Sequence, residues 1–163
     1  FFQYFFSSII SLYFFIKSRN KKSFGILIWL VFALACFIIA GEEISWTERI
    51  TGFSLNSISE VNVQGETNFH NLPFFHHNLL DPSYTIASLF LGWIGWHKWP
   101  NIKSLPGKEL SLYFLFVAFF YFYFDISWAS TISQIRNDQE IFELLFSSGI
   151  FIHCIKQWKY SKK

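Results

Sequence analysis

The feature that most constrains this chain is a succession of apolar runs long enough to be measured against a lipid bilayer. The hydrocarbon core of a bilayer takes about 20 helical residues, with a range of roughly 17–25. Residues 24–41 supply eighteen in a row without a charge, and residues 1–16 form a shorter run that opens the chain. Asp81-Pro82-Ser83 reads as a helix start with proline in the first turn, and His97-Lys98-Trp99-Pro100 as its stop. Two further runs begin at Leu110 and at about Gln139. The last ends in Lys156, Trp158 and Tyr160, where aromatic residues suit a membrane interface. A buried helix of a soluble protein shows a polar stripe at a 3.6-residue period, and residues 24–41 and 110–124 have none. The expected fold is therefore all-α. It is a polytopic transmembrane helix bundle with at least five spans, at about 1–16, 24–43, 83–97, 110–129 and 139–157, in a single membrane domain.

Composition agrees with that reading. Of 163 residues, 52% are hydrophobic and only 15% charged, which disfavours a disordered chain or an ordinary soluble domain. Methionine is absent and the chain opens inside an apolar run, as expected of a fragment or a processed chain. Lys17, Arg19, Lys21 and Lys22 follow the first run with no small-residue cleavage site, which resembles a stop-transfer flank.

The formal net charge of +2 gives no drive toward nucleic acid, but it conceals a division. With five spans, the loop after the first run, the loop around Lys98–Glu109 and the C-terminal tail share one face. They hold eleven of the thirteen basic residues and one acid, a net of +10. The other face holds ten acids with only Arg49 and Arg136, a net of −8. Lys and Arg mark the cytoplasmic side. The expected location is the cell membrane, multi-pass, with the C-terminus cytoplasmic and the 51–82 loop extracytoplasmic. Cys36 and Cys154 fall within spans and are expected to act as small apolar fillers rather than as a disulfide.

Chemistry should therefore be sought on the acidic face. Counted at 1.5 Å per residue, Glu42 and Glu43 reach the outer edge of the hydrocarbon, and Asp125 and Glu143 fall within it. An acid at bilayer depth costs about 2.5–3.5 kcal/mol on insertion scales and so marks a functional site by default; structural ion pairs with Arg49 and Arg136 are the alternative. On a continuing helix, Glu42, Trp46 and Arg49 share one stripe. Glu43-Ile44-Ser45-Trp46 is echoed by Asp125-Ile126-Ser127-Trp128, which suggests an internal repeat. Ser57–Glu60 has the capping-box pattern of a short helix. In the exported loop, Glu66 and His70 stand at i, i+4, beside Asn71 and ahead of His76 and His77. With a carboxylate from the bundle, His70, His76 and His77 offer nitrogen ligands for a divalent metal such as zinc. Without metal, a Glu/His pair can serve as general base and acid. A plain polar loop is the alternative. His97 and His153 are expected to be packing or interfacial residues, and Ser147-Ser148-Gly149 a close helix contact. No phosphate-binding loop, nucleophile elbow or nucleic-acid pattern is present in the sequence.

Gly41-Glu42-Glu43-Ile44-Ser45-Trp46-x-x-Arg49-Ile50 and Asn62-x-Gln64-Gly65-Glu66-Thr67-Asn68-x-His70-Asn71 together resemble an uncharacterised group of bacterial polytopic membrane proteins. That resemblance covers about 30 residues and implies a membrane protein, with no activity attached. Glu42-Glu43 with Arg49, and His77-x-x-x-Asp81, are more loosely similar to the hallmarks of CAAX-type intramembrane proteases. The Glu–Arg spacing here is longer, and the histidines precede the third span instead of lying within later ones.

Three functions fit these residues. One is a membrane-embedded hydrolase or transferase acting on a lipid or lipid-linked substrate at the outer leaflet. Glu43 or Glu66 would be its base, His70 would transfer protons or bind metal, and Arg49 would hold an anionic group. Glu42, Trp46, Asn71, Asp125 and Glu143 would line the site. The second is a non-enzymatic subunit or scaffold whose exported loop binds a membrane-protein partner. The third is a transporter that uses Asp125 and Glu143.

Overall fold

A computed structural model describes residues 1–20, 23–52, 54, 57, 60, 67–69, 72, 79–123 and 133–162. Among them the chain is helical and without strands. Helix α1 spans Phe2–Ser18 and α2 spans Phe24–Glu43. A 3-10 turn at Ser45–Thr47 leads to a short α3, Glu48–Thr51. Helix α4, Asp81–Leu89, runs through a π turn at Phe90–Ile94 into α5, Gly95–Lys98. Helix α6 is Ser111–Phe120, entered by a 3-10 turn at Lys108–Leu110, and α7 is Ser133–Tyr160.

Local chemistry accounts for most of these boundaries. Ser23 is extended, and its hydroxyl accepts from the Gly25 amide at 3.3 Å, which caps α2. Pro82 sits in the first turn of α4, where its missing N–H costs nothing. The expected stop holds, as Trp99 leaves helical geometry after Lys98 and ahead of Pro100.

Helix α1 packs along α2 and α7, and α6 packs against α4, the π turn and α7. The contacts are close where side chains are small. A Cβ on Gly149 would come within 2.7 Å of the Phe114 ring and 2.8 Å of Tyr113, so α7 reaches α6 only through glycine. Gly92 in the π turn meets Phe114 and Leu115 in the same way. Ser147 and Ser148 both donate to Gln3 Oε1, at 2.5 and 3.3 Å, tying α7 to α1. The expected small-residue contact is thus in place.

Polarity is distributed in an unusual sense. Ser7, Ser8 and Ser11 of α1 are buried, with Ser8 donating to the Ala33 carbonyl at 2.8 Å. Ser88, Ser104, Ser111, Ser147 and His153 are buried as well. Phe2, Phe6, Ile9 and Ile16 of α1 are exposed, as are Leu27, Val31, Leu34 and Phe37 of α2 and Leu112, Phe116 and Phe119 of α6. The exposed apolar faces are thus contiguous along helices, well beyond the scattered single residues of an ordinary surface.

Helix α2 is the one helix among the described residues long and apolar enough to cross a membrane. The other expected spans do not meet that measure, for identifiable reasons. Helix α1 has 17 residues. The third run is broken by the π turn. Helix α6 passes into a π turn at Tyr121, beyond which residues 124–132 lie outside the described residues. Helix α7 is 28 residues long but carries acids near one end and lysines near the other.

The bundle has two chemically different ends. At one, Phe24 meets Trp99, Tyr13 meets Trp158, and the buried His153 ring faces the Ser104 carbonyl at 3.1 Å. His153 also stacks on Trp29, so it is a packed interior residue. Lysines from α1, the 99–110 turn and α7 gather at this end, and Lys156 pairs with Glu109. The C-terminus of α2, the start of α4 and the first half of α7 meet at the other end, where Glu42, Glu43 and Glu143 lie.

Candidate functional site

The helix of α2 ends abruptly, and the site follows from how it ends. Ser45 and Trp46 both adopt positive φ, 47° and 49°. That left-handed region is uncommon for residues other than glycine and marks a constrained turn. The turn folds the Trp46 side chain back on α2, where its indole N–H donates to Glu42 Oε1. Gly41 makes this possible, since a Cβ there would lie 2.8–2.9 Å from the Trp46 ring. The single stripe expected for Glu42, Trp46 and Arg49 is therefore corrected. Glu42 and Trp46 do meet, but through a reversal of the chain, and Arg49 lies exposed on α3.

The same turn captures the second motif. The other Glu42 oxygen accepts from the Phe69 backbone amide at 2.6 Å, and Glu48 Oε2 accepts from the Thr67 amide at 2.5 Å. The Asn68 side-chain amide donates to the Ser45 hydroxyl at 3.3 Å, and Ser54 contacts the Thr67 hydroxyl at 3.3 Å. Glu42, Ser45, Thr67 and Asn68 are all buried. Carboxylates accepting from backbone N–H groups form charge-assisted hydrogen bonds, about twice as strong as neutral ones. The two stretches that suggested a common motif are thus parts of one clamp. Sequence reasoning missed Glu48, Ser45, Thr67 and Asn68. Their available signal was a second acid six residues after Glu42 and an Asn beside Thr in the later motif.

Beside the clamp lies a cavity of about 560 Å³. Ile38, Ile39, Glu42 and Glu43 of α2 form one wall, with Trp46 at the turn. Leu79, Leu80, Ser83, Tyr84 and Ala87 form the α4 wall, Glu143 and Phe146 the α7 wall, and Phe69 closes one side. Glu143 accepts a hydrogen bond from the Tyr121 hydroxyl at 3.0 Å. Tyr121 stacks face to face on Tyr84, with ring centroids 4.8 Å apart, and Phe146 meets Tyr84 edge on. The Glu43 side chain is about one-third exposed, at 36%.

Four of the expected site residues are therefore brought together, namely Glu42, Glu43, Trp46 and Glu143. Arg49 is not among the lining residues. Glu66, His70, Asn71, His76, His77 and Asp125 lie outside the described residues, as do the echo motif at 125–128 and the centre of the Ser57–Glu60 capping box. Among the described residues, no group of three His, Cys, Asp or Glu side chains is placed to hold a metal ion. Cys36 and Cys154 are buried, unbridged thiols; Cys154 lies 3.5 Å from the Ser11 hydroxyl.

Comparison of the chain with protein-family models, curated proteins and solved structures gave no match. The functional reading rests on the residues and their geometry.

Proposed function

We propose that the chain is a multi-pass integral membrane protein. In this reading it takes a lipid or lipid-linked molecule into the cavity at its acidic, extracytoplasmic end and acts on it as a hydrolase or transferase. The observation that carries this reading is a cavity of about 560 Å³ whose mostly apolar wall is interrupted by Glu42, Glu43 and Glu143. That volume falls within the roughly 300–1,000 Å³ typical of small-molecule sites. Apolar walls suit a hydrocarbon tail, and the carboxylates supply acid–base groups at one end.

The membrane part is supported by the exposed apolar faces, the buried serines and the separation of lysines from acids along the helices. Small polar residues between helices and apolar residues outside them are the pattern of bundles packed in lipid.

The acids divide by task. Glu42 is held by Trp46 and by the Phe69 amide, so it shapes the wall. Glu43 combines partial exposure with a place in the lining, which suits a general base. His70 follows Phe69 directly in sequence and is the proposed proton-transfer partner.

One observation favours the scaffold reading as well. Glu42 and Glu48 hold the 67–69 segment by its backbone, which would fix part of the exported loop as a platform for a partner. Native mass spectrometry of the purified chain, followed by incubation with a membrane lipid extract, separates the readings. The enzyme reading predicts lipid adducts that Ala87→Trp removes and turnover that Glu43→Gln abolishes. Adducts and lipid profile indifferent to both changes would leave only the scaffold.

A further inference from the structure

We propose that the ends of α1 and α7 at the lysine-rich side of the bundle together bind the headgroup of an anionic phospholipid. The inference rests on the membrane part of the proposed function and is independent of the cavity. Along α1, Ile9, Tyr13 and Lys17 follow one another at four-residue intervals, so they form one stripe, and all three are exposed or half-buried. Along α7, Ile155, Trp158 and Lys162 repeat the order, with Lys162 just past the turn that the Ser161 amide closes on the Gln157 carbonyl at 3.0 Å. Each stripe thus passes from apolar through aromatic to cationic toward the helix end. The two stripes meet where Tyr13 and Trp158 make an edge contact, with ring centroids 4.8 Å apart.

Two lysines frame that aromatic pair. The Lys17 ammonium lies 5.5 Å from the Tyr13 ring centroid, and the Lys162 ammonium 4.8 Å from that of Trp158. Such contacts hold a cation without neutralising it. Both lysines are exposed, and among the described residues neither has a carboxylate within ion-pair distance. Arg19 and Lys159 add charge at the same two helix ends. The carbonyls of helix C-termini disfavour an anion, so the attraction has to come from these cations. A phospholipid complements the whole of both stripes. Its acyl chains run against Ile9 and Ile155, and its glycerol lies at the level of the aromatic pair, where Tyr and Trp suit the interface. Its phosphate then lies between the ammonium groups, which long lysine stems carry outward to the headgroups. A soluble anion would use the charges and leave the apolar part of each stripe bare.

The test uses native mass spectrometry of the full chain in a neutral maltoside detergent, with phosphatidylglycerol and phosphatidylcholine of identical acyl chains as probes. Phosphatidylglycerol should bind about tenfold more tightly, equivalent to about 1.4 kcal/mol. Lys17→Gln/Lys162→Gln should bring the two lipids within about twofold of each other, whereas Lys17→Arg/Lys162→Arg should keep the preference. Lys98→Gln/Lys103→Gln removes the same charge from α5 and the turn after it, and should also keep the preference. An equal loss in that control would overturn the site in favour of general attraction to a basic surface. Equal binding of both lipids by the parent chain would overturn it outright. Displacement of phosphatidylglycerol by inorganic phosphate would replace it with a soluble-anion site. Ala87→Trp fills the cavity at the far end and should change nothing; loss of the preference there would place the lipid in the cavity instead. A parent chain that stays soluble and monodisperse without detergent would overturn the membrane reading, and this site with it. The two-lipid comparison needs no variant, so it can contradict the proposal even if a double variant fails to fold.

Discussion

Glu42 joins three parts of the chain with one carboxylate, and Gly41 beside it leaves the space in which this happens. Each gives a prediction at the scale of a residue. Gly41→Ala places a methyl group where the Trp46 ring lies, at 2.8–2.9 Å. Overpacking of this kind costs about 1–3 kcal/mol, and thermal unfolding in detergent should register it as a lowered midpoint. Glu42→Gln removes the charge and one of the two acceptor oxygens, so either the indole or the Phe69 amide loses its partner. An unsatisfied buried donor costs about 1–3 kcal/mol, and limited proteolysis should then cut the 51–79 segment faster than in the parent. An unchanged cleavage rate would mean that the clamp does not hold the loop. At the opposite end the Lys156 ammonium holds the Glu109 carboxyl below its usual 4.5. A depressed carboxylate stabilises the fold above its unfolded pKa, and that contribution fades as the pH falls through the folded value. Both partners are exposed, so the pair contributes only about 0–1 kcal/mol. Glu109→Gln should leave the midpoint at pH 7 almost unchanged, and should flatten only the pH dependence below 4.5.

Among the elements, the helices were legible in the sequence and the turn after α2 was not. The α2 limits at Phe24 and Glu43 coincide with the edges of the apolar run, because nothing inside the run competes with a helix. Asp81-Pro82 and Trp99-Pro100 marked the ends of the third run for the reasons that proline always gives. The break at Ser45 and Trp46 had no such marker. Neither residue is glycine or proline, and their positive φ is held by contacts to Gly41, Glu42 and Asn68 that a local pattern does not contain. The clamp partners stand 19 and 27 residues apart along the chain. Helical spacing therefore placed Trp46 beside Glu42 through the wrong geometry, and it placed Arg49 with them when Arg49 is elsewhere. The α4 wall of the cavity was equally hidden, since Leu79, Leu80 and Ala87 look like any apolar helix. Close helix contact supplies a prediction at this scale. Gly149→Leu must push α7 from Phe114 and Tyr113, and it should lower the unfolding midpoint well beyond Gly52→Ala, where no atom lies within 4 Å and only the positive φ opposes the change.

For the whole molecule, the division of charge read from the sequence is the basis of the proposed topology, while among the described residues only α2 is long and apolar enough to cross a membrane. The runs set out as alternating spans predicted lysines on one face and acids on the other. The helices bring Lys156 to Glu109 at one end and Glu42, Glu43 and Glu143 around a cavity at the other. The proposed account places that cavity on the extracytoplasmic side of a membrane, with the lysine-rich end in the cytoplasm. Impermeant thiol labelling of intact and permeabilised cells tests this most directly, using Ile50→Cys and Lys162→Cys with the buried Cys36 and Cys154 left in place. Ile50 is 69% exposed beside the clamp, and Lys162 belongs to the C-terminal tail. The account predicts that Ile50→Cys labels in intact cells and Lys162→Cys only after permeabilisation. Labelling of both from the same side, or in the reverse order, would contradict it.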